Sequence, residues 1–146
     1  QKDTLLNEYD RLHLVQLGIG DNPKLRASDI EFKLPKPSYT IDTLIRLQEK
    51  HPNYEFKLII GGDNLAQFPN WKNADKILEY FGLYVYPRPN SEPSDLEKHP
   101  NVQLVKAPSL DISATFIRDC IKNGQPIRYM VPEDVEEHIQ RKKFYQ

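Results

Sequence analysis

The stretch FKLIIGGDNL, residues 56–65, decides the fold. Phe56 to Ile60 is continuously apolar apart from Lys57. A strand with one wet face would alternate, so this run predicts a strand covered on both faces, as in a parallel sheet. Gly61, Gly62 and Asp63 then stand at its carboxyl end, the edge where an open α/β sheet receives ligands. An acidic side chain there can accept from ribose hydroxyls, and glycine lets a nucleotide approach the backbone. A glycine-rich turn with Asp63 capping the next short helix accounts for the same letters. The pattern is not GxGxxG, and no Walker lysine follows it.

Working outward, the Pro69-Asn70-Trp71 turn leads to a helix over Ala74 to Phe81, and strands follow at Leu83 to Tyr86 and Val102 to Val105. Ahead of the run, Ile41, Leu44, Ile45 and Leu47 place a helix over Thr40 to Glu49, stopped by His51-Pro52. Leu25 to Phe32 reads as a strand. Tyr9, Leu12, Val15 and Ile19 recur at helical spacing within Leu5 to Ile19, ended by Gly18, Gly20 and Asn22-Pro23. Helices over Ser113 to Lys122 and Glu133 to Phe144 close the chain, the latter ending in the basic Arg141-Lys142-Lys143 that suits a helix C-terminus. The alternation of strand and helix predicts an α/β domain with an open, mainly parallel sheet flanked by helices.

The 146 residues fit one domain, 1–146, with a single core. Lys and Arg number 20 against 21 Asp and Glu, a formal charge of −1, so no broad basic field is available to nucleic acid or an anionic membrane. One cysteine, Cys120, excludes an internal disulfide and a cysteine-built zinc site and fits a reducing compartment. No apolar run approaches the roughly 20 residues that cross a bilayer. The expectation is a soluble protein of the cytoplasm. His13, His51, His99 and His138 occur singly, as surface or boundary residues do, and no G-x-S-x-G nucleophile elbow is present.

In LDISATFIRDCIKNG, residues 110–124, Ser113 is a natural N-cap, Thr115 falls in the first turn and Arg118 lies three residues on, along the same face. Hydroxyl, guanidinium and open backbone N–H groups would converge there, a seat for phosphate. Plain capping with a solvated Arg118 is the competing account. KPSYTIDTL, residues 36–44, sets Ser38, Tyr39 and Thr40 ahead of a helix in the same anion-receiving geometry, which capping alone also explains. Trp71, in FPNWKN, could stack on an aromatic ligand or serve as a partly buried packing residue.

Taken in order, KPSYTIDTL, LIIGGDNLAQFPNWKNADKIL, YVYPRP and ISATFIRDCIKNGQPIRYMVPEDVEEHI resemble the bacterial nicotinate mononucleotide adenylyltransferases over most of the chain. ISATFIR is similar to the ISxTxIR signature of the wider nucleotidyltransferase superfamily. SYT and FPNW are similar to the more specific elements that receive nicotinate. The resemblance implies a Rossmann-like fold and an enzyme that joins ATP to nicotinate mononucleotide, with Mg²⁺, giving the dinucleotide and pyrophosphate without a covalent enzyme intermediate. It implies that Ser113, Thr115 and Arg118 hold the ATP phosphates, that Ile112 lies against adenine, and that Gly61 and Asp63 lie at the adenosine ribose. It further implies that Trp71 stacks on the pyridine ring, that Thr40 and the Lys72 N–H donate to the carboxylate, and that Tyr39 joins that pocket.

Two departures from the family pattern bear on this expectation. The GxFxPxHxGH motif that opens the family is not in this sequence, and an omitted upstream segment is the expected reason. Position 114 is Ala where many members carry Ser, which removes one phosphate contact but not the helix end. Nicotinamide mononucleotide or phosphopantetheine as acceptor, and a non-catalytic nucleotide-binding module, are the competing functions. Trp71 and Thr40 discriminate among acceptors, since phosphopantetheine has no ring to stack and nicotinamide no carboxylate to hold. Self-association stays open.

Overall fold

The computed structural model describes residues 5–146. It divides into two compact units: a sheet unit, Lys33–Asp111, and a helical unit formed by the residues up to Phe32 together with Ile112–Gln146.

The sheet unit carries α2 (Thr40–Lys50), β1 (Leu58–Gly61), the single-turn α3 (Gly62–Leu65), α4 (Ala74–Tyr80), β2 (Leu83–Tyr86) and β3 (Val102–Leu104), while α1, α5 and α6 belong to the helical unit. The strands lie in the order β1-β2-β3, all parallel, with Leu58 opposite Leu83 and Leu83 opposite Val102. Parallel neighbours need a crossover, and the segment from Gly62 through α4 supplies the first. One sheet face, through Ile60, Leu83, Val85 and Val102, packs with Ile41 and Leu44 of α2 and Ile77 and Leu78 of α4. Phe68, from the 3₁₀ turn Phe68–Asn70, is wholly buried in this core.

Of the cover expected on both faces of β1, the described residues supply one: Ile59, on the other face, is left 68% exposed by them. Successive strand residues point to opposite faces, and the helices of this unit bury the face of Ile60.

At the α4–β2 turn, Gly82 adopts φ +75°, and a Cβ there would stand 2.9 Å from the Asn101 carbonyl oxygen. Asn101 ties the turn from both ends. Its side-chain amide donates to the Leu78 carbonyl at 3.0 Å, and its own carbonyl accepts from the Leu83 N–H at 2.8 Å.

In the helical unit, α1 (Glu8–Ile19) is capped by Asn7, whose side chain accepts from the N–H groups of Tyr9 and Asp10. The stripe predicted from Tyr9 and Val15 is corrected: both are exposed, and Leu14 and Leu17 pack against Cys120, Ile127, Val135 and Ile139 instead. The strand expected over Leu25 to Phe32 does not form. Ser28 Oγ accepts from the Ile30 N–H, and the Phe32 N–H bonds to the Asp29 carbonyl within the 3₁₀ turn Ile30–Lys33. These local polar partners satisfy the backbone that a neighbouring strand would otherwise pair.

α5 (Ala114–Lys122) and α6 (Glu133–Lys142) complete the unit. α6 opens with Glu133, Asp134 and Glu136 and closes with Arg141 and Lys142, charges that complement the helix dipole. Glu136 is buried, and Arg128 Nε holds its carboxylate at 3.0 Å. That contact raises the Arg128 pKa.

The histidines expected to be isolated surface or boundary residues include a pair. His13 and His138 meet edge to face at 4.6 Å, and His138 is buried. Arg141 donates to His138 Nδ1 at 3.0 Å, which requires that nitrogen to be unprotonated. Burial first, then the His13, Arg141 and Lys142 charges, hold His138 below the ordinary imidazole pKa, with Asp10 opposing.

Phe68→Ala is expected to lower the unfolding free energy by about 3–5 kcal/mol, read from urea denaturation. Because the His138 pKa is lower folded than unfolded, the unfolded chain binds more protons as pH falls below about 6.5. The thermal midpoint is expected to be steady above that pH and to fall below it, less steeply in His138→Gln.

Candidate active site

The carboxyl end of β1 is crowded. A Cβ on Gly61 would stand 2.3 Å from Asp63 Oδ1 and 3.0 Å from Arg88 Cγ, and one on Gly62 would stand 2.8 Å from Ser91 Oγ. The two glycines thus admit the chain's own Asp63, Arg88 and Ser91. Arg88 Nε lies 3.9 Å from Asp63 Oδ1, and its guanidinium also donates to the Leu110 carbonyl at 3.3 Å. Ser91 Oγ donates to the Arg88 carbonyl at 2.8 Å, closing the turn after β2. Asp63 is not a cap: Gly61 holds the N-cap position of α3, with no side-chain cap bond. Asp63 remains half exposed at the strand edge, an acceptor steadied by a cation.

A second grouping forms at the start of α2. Tyr39 occupies the N-cap in extended conformation and contributes no side-chain cap bond. The first turn of any helix leaves N–H groups without intrahelical partners, so an acceptor is welcome at Thr40. Lys72, 30 positions on from Asp42, reaches this turn: its Nζ lies 3.0 Å from Asp42 Oδ2 and 4.5 Å from the Tyr39 ring centre. Trp71 is partly buried with its ring 5.3 Å from that of Phe68, so the packing account of this residue holds within the unit. The same contact fixes the indole plane in place.

In the helical unit, Ser113 caps α5, accepting from the Phe116 N–H at 3.1 Å. Arg118 is not simply solvated. It donates to Thr115 Oγ1 at 3.2 Å, so hydroxyl and guanidinium share one side of the helix start. Both line a cleft of about 560 Å³ with Lys122 and Tyr145. Burial raises the Tyr145 phenol pKa, against the pull of Arg118 and Arg11, so the hydroxyl remains a donor at neutral pH. Ile112, two-thirds covered, immediately precedes the cap.

Of the expected residues, Gly61 and Asp63 stand together at the end of β1, Tyr39 is met by the Lys72 side chain while Trp71 packs on Phe68, and Thr115 and Arg118 pair behind the Ser113 cap that follows Ile112. Sequence reasoning missed Asp42 and Lys122 and left Arg88 without a role. The polar residue after each strand was the available signal for Arg88, but its pairing spans 25 positions of chain between the ends of two strands. Among the described residues, no three His, Cys, Asp or Glu side chains cluster as a metal site, and no helix is long and apolar enough to cross a membrane.

Comparisons with known proteins agree with this architecture. The cytidylyltransferase-like family model matches residues 1–120. A Cytophaga hutchinsonii protein named "Probable nicotinate-nucleotide adenylyltransferase" is 55% identical over 145 residues, covering 99% of this chain and 76% of the relative. A Flavobacterium psychrophilum protein of the same name is 50% identical over 147 residues, with the same coverage of 99% and 76%. In structure, the chain is similar to the Plasmodium falciparum nicotinic acid mononucleotide adenylyltransferase complexed with NaAD, at a TM-score of 0.74 and 19% identity, covering 99% of this chain and 78% of that one. That likeness supports the nucleotidyltransferase fold, and the sequence identities carry the family. This chain belongs to the nicotinate-nucleotide adenylyltransferases, within the cytidylyltransferase-like family.

Proposed function

We propose that this chain transfers the adenylyl group of ATP to nicotinate mononucleotide, forming nicotinate adenine dinucleotide and pyrophosphate for NAD synthesis. A phosphate oxygen of the mononucleotide attacks the α-phosphorus of ATP, and the bond from that phosphorus to the pyrophosphate oxygen breaks. Both substrates are polyanions, so positioning and neutralising charge are the protein's main tasks.

The observation that carries the reading is the Thr115–Arg118 pair just behind the Ser113-capped start of α5. Thr115, Arg118 and, from the last turn of the helix, Lys122 line one cleft together with Asp119, two cations against one carboxylate. On this reading Ser113, Thr115 and Arg118 hold the ATP phosphates, and Arg118 offsets the charge that grows on the departing pyrophosphate. Enzymes of this kind generally use a divalent metal with ATP. Mg²⁺ enters here as part of the nucleotide substrate, since a hydroxyl and cationic side chains are a donor set for phosphate oxygens. Ile112 lies against adenine. Asp63, steadied by Arg88, accepts from the adenosine ribose beside Gly61.

For the second substrate, Trp71 stacks on the pyridine ring while Thr40 and the Lys72 N–H donate to the nicotinate carboxylate, with Tyr39 beside them. A carboxamide would turn its own NH₂ toward one of these donors and leave it unpaired, at about 1–3 kcal/mol per buried group. The cytoplasm, where ATP and pyridine nucleotides are held, is the compartment we assign.

Pyrophosphate release with nicotinate mononucleotide, nicotinamide mononucleotide and phosphopantetheine tests the assignment. The first is expected to turn over best, and a preference for phosphopantetheine would overturn the proposal. ATP binding by calorimetry without pyrophosphate release would favour a binding module instead. Arg118→Ala is expected to lower kcat/KM at least tenfold, about 1.4 kcal/mol of transition-state stabilisation. Unchanged kinetics would remove Arg118 from the site. Asp63→Asn is expected to weaken ATP binding about fivefold, roughly the difference between a charge-assisted and a neutral hydrogen bond, as read by titration calorimetry.

A further inference from the structure

We propose that the Lys72 side chain, paired with Asp42, is a specificity-determining positioning element that makes the start of α2 acceptable to a carboxylate ligand. This inference rests on the nicotinate reading above and assigns a role to two side chains that the reading leaves unused.

Asp42 is the third residue of α2, one turn inside the helix start proposed to receive the nicotinate carboxylate. An acidic residue there suits the helix dipole. It also places a negative charge on the turn that must accept a second one. Lys72 resolves this conflict, since its ammonium lies 3.0 Å from Asp42 Oδ2 and cancels that charge locally. The same ammonium rests 4.5 Å from the Tyr39 ring centre, so it is held from two sides.

The pair also joins two elements that are distant in sequence. One is the Tyr39–Thr40 helix start, and the other is the turn bearing Trp71 and the Lys72 N–H. Each has been assigned a share of the same ring and carboxylate. The side chains are 45% and 40% exposed, and ion pairs this wet contribute little to stability. Their effect falls on the charge a ligand meets. A carboxamide carries no charge, so the ratio of nicotinate to nicotinamide mononucleotide affinity isolates the effect from general loss of structure.

Calorimetric binding of both mononucleotides to the protein and its variants tests this, with thermal melts confirming that each variant is folded. Lys72→Met is expected to reduce the nicotinate-to-nicotinamide affinity ratio about five- to tenfold, the scale of one uncompensated charge at a wet site. Lys72→Arg is expected to stay within about twofold of the parent ratio, since the cation is retained. Adding Asp42→Asn to Lys72→Met is expected to recover a large part of the lost ratio, because the repelling charge is gone.

An unchanged ratio in Lys72→Met, or no recovery in the double variant, would overturn the inference while leaving the nicotinate reading intact. A parent protein that binds nicotinate mononucleotide no better than nicotinamide mononucleotide would remove the reading itself, and this inference with it.

Discussion

No side chain fits at residue 61 or 62 without displacing Asp63, Arg88 or Ser91. That crowding marks the end of β1. The chain turns there from strand into the single turn of α3, which buries Leu65 and leads into the 3₁₀ turn bearing Phe68. Through Phe68 the same segment fixes the Trp71 ring, and the next residue is Lys72. The strand-end acid, the core aromatic and the side chain reaching α2 thus follow one another along twelve positions of chain, Gly61 to Lys72.

Much of the architecture was legible because its signals are local. β2 occupies Leu83–Tyr86, as read from its apolar run between turn residues, and α2 starts at Thr40 behind the Pro37-Ser38-Tyr39 turn. The Ser113 cap was legible for the same reason, since a hydroxyl three residues from its partner N–H is a pattern of spacing. Failures occurred where a distant partner decides the outcome. Leu25 to Phe32 has strand-like composition, but strand formation needs a neighbour, and Ser28 and Asp29 satisfied that backbone first. In α1, several faces carry apolar residues, and the side that packs, Leu14 with Leu17, is chosen by what it meets.

The candidate site divides along the same line. Residue types at Ser113, Thr115, Arg118, Asp63 and Trp71 could be nominated from spacing and from likeness to a family. The ties among them could not. Arg88 to Asp63 and Lys72 to Asp42 are long-range ion pairs, and no periodicity encodes them. His13 and His138 likewise meet only when α1 and α6 pack, although each is unremarkable in its own segment.

Asn101 has a consequence for how this chain tolerates changes of length. One residue spans the end of α4 and the start of β2, through its side-chain bond to Leu78 and its carbonyl bond to Leu83. The alignment of β3 on β2 begins at the next residue, where Val102 faces Leu83. Between Tyr86 and Asn101 no strand pairing ties the chain, and an extra residue beyond the Arg88–Ser91 turn leaves the register of β3 on β2 intact. The same residue inserted between Asn101 and Val102 would rotate the inward face of β3 to the outside. The insertion-tolerant and insertion-intolerant parts of this crossover are thus separated by a single side-chain amide.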